Sequence, residues 1–277
     1  MWLLEILKAI LLGIVEGITE WLPVSSTGHM ILLDELVRLN VSDEFKEMFL
    51  VVIQLGAILA VPLMFWDKLY PFSKKKSKEE NDKILRLWLR VIVGVIPAGV
   101  LGVLLDDFFD EYFYNFYVVA IALVVYGVGF ILVEYFRRGK EYRIKDVYDI
   151  TYRDALIIGS YQVLSLIPGT SRSGSTILGG MLSGVSRTAA SEFSFFMAIP
   201  VMLGASLLKI LKFILAGVTV SGLEIALLLI GIAVSFAVSL VAIKFLMDFV
   251  KKHDFTPFGI YRIVLGIIIL IYFFVAK

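Results

Sequence analysis

The chain has 277 residues, of which 59% are hydrophobic and only 18% are charged, and its mean hydropathy is +0.89. A soluble domain of this length needs a charged surface, so the composition excludes an ordinary soluble protein and predicts an integral membrane protein. Because the chain has no cysteine, it can form neither a disulfide framework nor a thiolate metal site. The net charge of +1 conceals basic residues that are concentrated in a few loops.

Six apolar stretches are long enough to cross about 30 Å of hydrocarbon as helices. In chain order they lie at 44–66, 86–105, 115–136, 190–211, 222–248 and 257–276. Two further apolar regions, 1–37 and 152–186, are each interrupted by a polar segment that contains proline. Each half of these regions is too short to span the membrane alone, so each region predicts a re-entrant helical hairpin.

The basic residues predict how these segments are oriented. The loops 67–85 and 137–153 and the linker near 250 are rich in lysine and arginine, whereas the loop 106–115 has neither. By the positive-inside rule, the basic loops lie in the cytoplasm and both termini lie outside. The two hairpins then enter the membrane from opposite faces.

An internal repeat agrees with this orientation. The break at Pro23–Ser26 is similar to that at Pro168–Ser171, 145 residues later. The segment EFKEMFLVVIQLGA, which begins at Glu44, also resembles EFSFFMAIPVMLGA, which begins at Glu192. Two similar halves of opposite orientation are typical of an inverted-repeat membrane fold.

Together these patterns predict an all-α integral membrane protein with six transmembrane helices and two re-entrant helical hairpins. We expect a single membrane domain over 1–277, with repeat 1 at about 1–136 and repeat 2 at about 150–277.

Two carboxylates lie in the last turns of the half-helix before the first break. Glu16 and Glu20 are four residues apart, which places them on one face of a helix near its negative end. Two like charges within a membrane are costly unless a cation compensates them, and Mg²⁺ or Ca²⁺ with oxygen ligands is the simplest compensation. Alternatively, one or both carboxylates are protonated, or they face the aqueous mouth as ordinary surface charges.

Hydroxyl groups and a histidine follow in the same break. The hydroxyls at 25–27 can cap the second half-helix. Ser26 and His29 are three residues apart, so they can face one another or a common ligand. This spacing suits a nucleophile with its base, or an acid opposite a nucleophile. Capping together with an ordinary hydrogen-bonded histidine explains the pattern equally well.

The second break, PGTSRSGST at 168–176, is the more specific signal. Arg172 lies within an apolar region, where an unpaired cation is costly. A turn rich in hydroxyls and glycine that opens a helix presents N–H groups, a positive dipole end and a guanidinium together, which suits a phosphate group. The Walker spacing and its lysine are missing, so this is not a P-loop. The alternative is a structural pair of Arg172 with Glu16 or Glu20.

Hairpins that enter from opposite faces can bring their tips together near the bilayer midplane. The carboxylates of one tip then face the arginine and hydroxyls of the other. A series of carboxylate, divalent ion, phosphate and arginine predicts phosphoryl transfer, in which positioning and charge neutralisation supply most of the catalysis.

These motifs resemble those of the undecaprenyl-diphosphate phosphatases of the bacitracin-resistance type, integral membrane enzymes of bacterial envelope lipid recycling. The [EQ]-x-x-x-E motif of that family corresponds to Glu16–Glu20, and its P-G-x-S-R-S-x-x-T motif to Pro168–Thr176. The stretches Ser25–His29 and Thr256–Arg262 also look like family sequence. The resemblance covers essentially the whole chain.

The resemblance implies hydrolysis of undecaprenyl diphosphate to undecaprenyl phosphate and inorganic phosphate, with a divalent cation, at a site open toward the outer face of the bacterial cytoplasmic membrane. It implies that Glu16 and Glu20 hold the metal, and that Glu20 and Arg172 also take part in catalysis. Diphosphate binding is carried over to Arg172, Ser171, Ser173, Thr176 and Gly169. Ser26 activated by His29, His29 itself and a metal-bound water all remain open as the attacking group, with Ser26 preferred.

A transporter is the main alternative, because secondary carriers also use inverted repeats, broken helices and charges near the midplane. The same fold could move undecaprenyl phosphate between leaflets. The expected partners are undecaprenyl diphosphate and membrane lipids, with no nucleic acid, and the sequence leaves a homodimer open. The expected role is recycling of the lipid carrier for peptidoglycan and other envelope polymers, which confers resistance to bacitracin.

Overall fold

The computed structural model of the chain describes residues 2–113 and 115–276, without the side chains of Glu35, Asp106, Asp107, Asp110 and Ala276. In this part the chain forms α-helices and two short 3₁₀ turns, Val147–Asp149 and Leu164–Leu166, and no β-strand. The α-helices in chain order are α1 (Trp2–Thr19), α2 (Ser26–Leu36), α3 (Asp43–Val52), α4 (Gln54–Met64), α5 (Trp66–Leu69), α6 (Lys78–Phe113), α7 (Phe116–Arg137), α8 (Tyr152–Val163), α9 (Arg172–Leu182), α10 (Arg187–Leu215), α11 (Gly222–Val250) and α12 (Thr256–Ala276).

Six helical segments among the described residues are long and apolar enough to cross a membrane. They are Asp43–Met64 (α3 with α4), Lys78–Leu105 (within α6), Phe116–Arg137 (α7), Arg187–Leu215 (α10), Gly222–Val250 (α11) and Thr256–Val275 (within α12). Each overlaps one of the six stretches expected from the sequence. The prediction of an all-α, multi-pass membrane protein is therefore confirmed at the level of helix length and composition.

Helix α6 is longer than the sequence predicts. In place of a loop at 106–115, the helix continues to Phe113, and its 36 residues extend over about 54 Å at about 1.5 Å per residue. The segment DDFFDEYF contains neither glycine nor proline, so no residue in it stops the helix. The loop prediction is therefore wrong as far as Phe113, and Tyr114 lies outside the described residues.

Both interrupted regions contain a helix, a break and a second helix. Helix α1 ends at Thr19 and α2 begins at Ser26, whereas α8 ends at Val163 and α9 begins at Arg172. In each region the second helix packs against the first. None of these four helices is among the segments that are long and apolar enough to cross a membrane.

Helices from the two halves of the chain are interleaved. Helix α1 packs along α11, α8 packs along α6, and α7 packs along α12. Glycine allows close approach at these contacts: a Cβ atom on Gly127 would lie 2.7 Å from the carbonyl oxygen of Gly259, and a Cβ atom on Gly259 would lie 2.7 Å from that of Gly127. Small residues at close helix contacts are typical of membrane proteins.

The contact between α8 and α6 gives a stability prediction. A Cβ atom on Gly159 would lie 2.0 Å from the carbonyl oxygen of Gly94, so Gly159→Ala forces the two backbones apart. We expect its free energy of unfolding to fall by about 1–3 kcal/mol, measured as thermal unfolding in detergent. The matched control is Gly204→Ala in α10, where a Cβ atom would meet nothing within 4 Å and should not destabilise. Equal stability of the two variants would contradict the close contact.

Candidate active site

Helices α2 and α9 begin in the same way. The serine before each helix has a positive φ angle, 72° at Ser25 and 71° at Ser171. Each serine caps its helix, because the N–H of Gly28 donates to Ser25 Oγ at 3.3 Å and the N–H of Gly174 donates to Ser171 Oγ at 3.1 Å. No other non-glycine residue in the described ranges has a positive φ angle. Strain of this kind is concentrated at functional sites.

The shared cap changes the register of the repeat. Ser25 and Ser171 are 146 positions apart, whereas the sequence pattern pairs Ser26 with Ser171 at 145. Both breaks contain adjacent hydroxyl residues, three at 25–27 and two at 170–171, so the sequence alone does not show which hydroxyl caps the helix. When the two capping serines, Ser25 and Ser171, are aligned, Pro23 of the first break corresponds to Gly169 of the second.

An ion pair joins the two breaks. Arg172 Nη2 donates to Glu20 Oε1 at 3.1 Å, and the two side chains are 10% and 9% exposed. Arg172 Nη1 donates to the carbonyl oxygen of Ser194 in α10 at 2.8 Å, and the guanidinium carbon lies 5.7 Å from the ring centre of Trp21. Of the two structural partners considered for Arg172, the structure therefore selects Glu20.

Two predicted phosphate-binding hydroxyls have hydrogen-bond partners within the protein. Ser173 Oγ donates to the carbonyl oxygen of Glu20 at 3.1 Å. Thr176 Oγ1 donates to Ser194 Oγ at 2.7 Å, and so supports the residue that holds Arg172. Both hydroxyl residues are buried. Their contacts explain these side chains within the protein, and their roles toward a phosphate remain predictions.

Gly169 is required by the turn itself. Its φ angle is +90°, and a Cβ atom would lie 2.5 Å from the carbonyl oxygen of Val119 in α7. Only glycine fits such a position without a shift of the backbone. Its predicted contact with a diphosphate remains a prediction.

The predicted nucleophile contacts a carboxylate. Ser26 Oγ donates to Glu20 Oε2 at 2.9 Å. Glu20 therefore accepts from Ser26 with one oxygen and from Arg172 with the other. A hydroxyl that donates to a carboxylate beside a guanidinium is a plausible arrangement for nucleophilic attack on an electron-poor centre.

His29 contacts other groups than Ser26 Oγ. Its Nδ1 lies 2.8 Å from the carbonyl oxygen of Ser25, and its Nε2 lies 2.6 Å from the hydroxyl of Tyr261. A carbonyl oxygen can only accept, so Nδ1 carries the proton, and in the neutral ring Nε2 accepts from Tyr261. The direct Ser26–His29 contact that the spacing allows is not formed, and a contact of both with a common ligand remains a prediction.

The accessible face of the site is polar. The predicted residues that remain partly exposed are Ser26, His29, Ser171 and Arg172, and those that are buried are Glu16, Glu20, Gly169, Ser173 and Thr176. The accessible set therefore contains a hydroxyl, an imidazole and a guanidinium at the starts of two helices. Such a set suits an anionic group such as a phosphate.

Glu16 and Glu20 fit a divalent cation. Glu16 Oε1 is buried and makes no hydrogen bond within the described part of the chain, and its carboxylate lies close to the charges of Glu20 and Arg172. A buried carboxylate oxygen without a donor is costly, and hard oxygen ligands suit Mg²⁺ or Ca²⁺. No group of three or more His, Cys, Asp or Glu side chains converges among the described residues. Further ligands would therefore be other oxygens.

Sequence reasoning missed several residues that form the site. These are Trp21 beside Arg172, Ser194 in α10, and Tyr261 and Arg262 in α12. One signal was available, because Arg262 is a charged residue within an apolar spanning segment, where such residues mark functional sites. Ser194 and Trp21 have no comparable signal, since Ser194 occurs in ordinary apolar helix sequence and Trp21 is an apolar residue of the first break.

Comparison with known proteins decides the family. A model of the family described as bacitracin resistance protein BacA matches residues 9–268. This chain belongs to that family.

Relatives cover nearly the whole chain. The undecaprenyl-diphosphatase of Desulfitobacterium hafniense is 56% identical over 99% of this chain and 98% of that protein. Undecaprenyl-diphosphatase 1 of Clostridioides difficile is 58% identical over 98% and 97%, respectively, and the undecaprenyl-diphosphatase of Enterococcus faecalis is 55% identical over 96% of both chains. The BacA family match includes both breaks and the α12 residues Tyr261 and Arg262.

Proposed function

We infer that this chain hydrolyses undecaprenyl diphosphate to undecaprenyl phosphate and inorganic phosphate. It thereby recycles the lipid carrier of envelope polymers and confers resistance to bacitracin. Membership of the BacA family and relatives named undecaprenyl-diphosphatase support this activity. The structural observation that carries it is the contact of Glu20 with both Arg172 and Ser26, which joins a nucleophile, a carboxylate and a phosphate-binding group across two breaks.

The fold proposed for this activity is an inverted repeat with two re-entrant hairpins. Three contacts support it: α1 packs on α11, α8 packs on α6, and α7 packs on α12. In the first two, the hairpin helix of one half packs on a long helix of the other half, which is the exchange that two related halves would make. The matching caps at Ser25 and Ser171 support the same relation.

The proposed location is the bacterial cytoplasmic membrane, with the site open toward the outer face. A contact between the two basic loops supports a common cytoplasmic side, because the hydroxyl of Tyr148 donates to the carbonyl oxygen of Lys68 at 3.1 Å. Lys68 also pairs with Glu192 near the start of α10 at 2.8 Å. The positive-inside rule then places the opposite ends outside.

In the proposed reaction, Ser26 Oγ attacks the terminal phosphorus of the lipid diphosphate. A bond forms between Oγ and phosphorus, and the bond between that phosphorus and the bridging oxygen breaks, which releases undecaprenyl phosphate. The hydroxyl proton passes to Glu20 Oε2, to which Ser26 already donates. Arg172 neutralises the charge that develops on the phosphoryl oxygens. Water then attacks the phosphorus of the phosphoserine, the bond between Ser26 Oγ and phosphorus breaks, Oγ takes back the proton from Glu20, and inorganic phosphate leaves.

His29 takes a second proton-transfer role in this scheme. Its unprotonated Nε2 faces the Tyr261 hydroxyl, and its Nδ1 is fixed by Ser25. A neutral imidazole held in one tautomer can accept a proton from the water that attacks the phosphoserine. Attack by His29 itself or by water directly on the substrate are the alternatives, which variants of Ser26 separate.

Glu16 and Glu20 hold a divalent cation in the proposed active state. When bound, the cation supplies charge neutralisation to the diphosphate. Glu16 is suited to this role because its Oε1 has no protein donor among the described residues. Glu20 would share its carboxylate between the cation and Arg172, whose guanidinium is also held by Ser194.

Removal of divalent cations tests this site. We expect EDTA to abolish phosphate release by the purified protein, and Mg²⁺ or Ca²⁺ to restore it. Glu16→Gln should raise the cation concentration needed for half-maximal activity by about tenfold or more, measured by titration of each cation. The matched control is Glu47→Gln, an exposed carboxylate paired with Lys209, which should behave as the parent. Full activity in EDTA would contradict the metal site.

The experiment that tests the function measures phosphate release from undecaprenyl diphosphate in detergent, where there are no compartments. Release of inorganic phosphate supports the enzyme. The transporter alternative requires labelled undecaprenyl phosphate to change leaflet in proteoliposomes while the detergent sample releases no phosphate. That pair of results would overturn the proposed function.

A further inference from the structure

Arg262 is a fully buried arginine in α12, with an exposure of 0%. Its guanidinium donates to three backbone carbonyl oxygens: that of Pro23 at 3.1 Å, and those of Gly169 and Thr170, each at 2.9 Å. No ion pair of Arg262 occurs within the described part of the chain. A buried charge held only by carbonyl dipoles is unusual, because buried charges are normally paired.

The three carbonyl groups belong to the two breaks of the candidate site. Pro23 lies two residues before the capping Ser25, and Gly169 lies two residues before the capping Ser171. One guanidinium therefore joins equivalent positions of the two breaks from a third element, α12. Because the breaks are far apart in sequence, this shared side chain is a direct tie between them.

The guanidinium fits closely in this place. Its carbon atom lies 5.6 Å from the ring centre of Tyr126 in α7. A Cβ atom on Gly174 would lie 3.2 Å from Arg262 Nη1, so glycine at the start of α9 leaves room for the guanidinium. A planar, closely packed guanidinium with several donors can hold the three carbonyls in one fixed arrangement.

Because these carbonyl groups are fixed, the direction of the N–H group that follows each of them is fixed as well. A peptide unit is planar and trans, so its N–H points opposite to its C=O. The carbonyl of Thr170 points to Arg262, so the N–H of Ser171 points away from it. The first-turn N–H groups of α9 follow directly at Arg172, and those of α2 follow three residues after Pro23 at Ser26. The third N–H of each first turn, at Gly28 and Gly174, donates to the capping serine, so the N–H groups before it are those that the helix leaves for an anion.

We propose that Arg262 is a positioning residue that locks the two breaks together, so that the starts of α2 and α9 face one diphosphate group. It acts through the backbone of both breaks and does not touch the substrate. Its positive charge also adds to the positive ends of the two helices and favours an anionic ligand. The proposal rests on the proposed hydrolysis of a lipid diphosphate, and it adds the element that assembles the site.

The test compares Arg262→Lys and Arg262→Met with the parent protein. We expect kcat/KM for undecaprenyl diphosphate to fall about tenfold in Arg262→Lys, which keeps the charge and some donors, and about 100-fold or more in Arg262→Met, because a small misplacement of catalytic groups has effects of this size. The fall should be mainly in kcat, because misplaced groups lose contacts that are made in the transition state. The control is Arg187→Met, which removes a partly buried arginine paired with Glu134 on α7. It should lower thermal stability and leave kcat/KM per folded protein near the parent value.

A second measurement is independent of activity. The chain has no cysteine, so Ile18→Cys and Leu164→Cys, both at exposed positions, can carry one spin label beside each break. We expect a narrow distance distribution between the labels in the parent and in Arg187→Met, and a broad or shifted one in Arg262→Met. An intermediate width is expected in Arg262→Lys.

Unchanged distance distributions in folded Arg262→Met would overturn the proposal, and so would a kcat/KM within a factor of two of the parent. If Arg262→Met does not fold, the test rests on Arg262→Lys. Turnover and label distances like those of the parent in Arg262→Lys would mean that charge and packing alone suffice. The contact of Arg262 with the three carbonyl groups would then have no role. A parent protein that releases no phosphate refutes the proposed function, whereas the distance measurement still tests the tie between the breaks.

Discussion

Replacing Arg172 with alanine should lower kcat/KM for undecaprenyl diphosphate by at least about 10³-fold, because an arginine that neutralises a transferring phosphoryl group is worth about that much or more. The guanidinium is held by Glu20 and by the carbonyl oxygen of Ser194, so it is fixed before substrate binds. The measurement is the initial rate of phosphate release by purified variants that elute as the parent does in size-exclusion chromatography.

Arg172→Lys is the matched control for this change. Lysine keeps the charge and loses the fork that contacts Glu20 and Ser194 together. We expect it to recover only a small part of the lost rate. If Arg172→Ala turned over at near the parent rate, the ion pair with Glu20 would be structural only, and the second break would have no role in the chemistry.

Ser26→Ala should lower kcat by about 10⁴-fold or more, which is the size of effect seen when a nucleophile is removed. The structure places the Ser26 hydroxyl 2.9 Å from Glu20 Oε2, and the missing hydroxyl leaves no acceptor for the phosphoryl group. His29→Ala should permit a first turnover and slow the second step, so that a phosphorylated protein accumulates. Rapid quenching with labelled substrate, followed by detection of label on the protein, measures both effects.

The nearest matched control is Thr27→Ala. Thr27 is the next hydroxyl in the same helix turn and is partly exposed, and it has no role in the proposed reaction. Its rate should stay within a few fold of the parent. If Ser26→Ala retained most of the activity while His29→Ala lost it, attack by His29 or by water would replace Ser26 as the nucleophile.

The membrane-spanning helices were predictable because hydropathy is a local property of the sequence. Each of the six stretches needed only its own residues to be recognised, and the structure has a long apolar helix at each. The end of α6 was not predictable by the same reasoning. The polar segment after Leu105 reads as a loop by charge, but its residues favour helix and nothing in it ends the helix.

The sequence was sufficient to predict that charged residues of the two breaks contact each other. An arginine in one apolar region and two glutamates in another are each costly alone, so a contact between them follows from electrostatics. The choice of Glu20 over Glu16, and the donation from Ser26 to Glu20, depend on the turn at Pro23 and on the cap at Ser25. Those are geometric facts that residue spacing does not contain.

The supporting residues were not predictable because they come from distant helices. Ser194 holds Arg172 from α10, and Tyr261 and Arg262 reach the breaks from α12. The backbone conformation of the two capping serines was not predictable either, because a positive φ angle at serine is disfavoured and no sequence rule anticipates it. The sequence therefore indicated candidate groups for the chemistry, and the structure adds the groups that hold them.

The central claim is that the two breaks form one site that splits a lipid diphosphate. The most direct measurement quantifies inorganic phosphate and undecaprenyl phosphate together, from undecaprenyl diphosphate in detergent, for the parent and for a Glu20→Gln, Arg172→Ala double variant. We expect equal amounts of the two products from the parent, and a rate at least about 10³-fold lower from a folded double variant. No phosphate from the folded parent, or equal rates from both proteins, would contradict it.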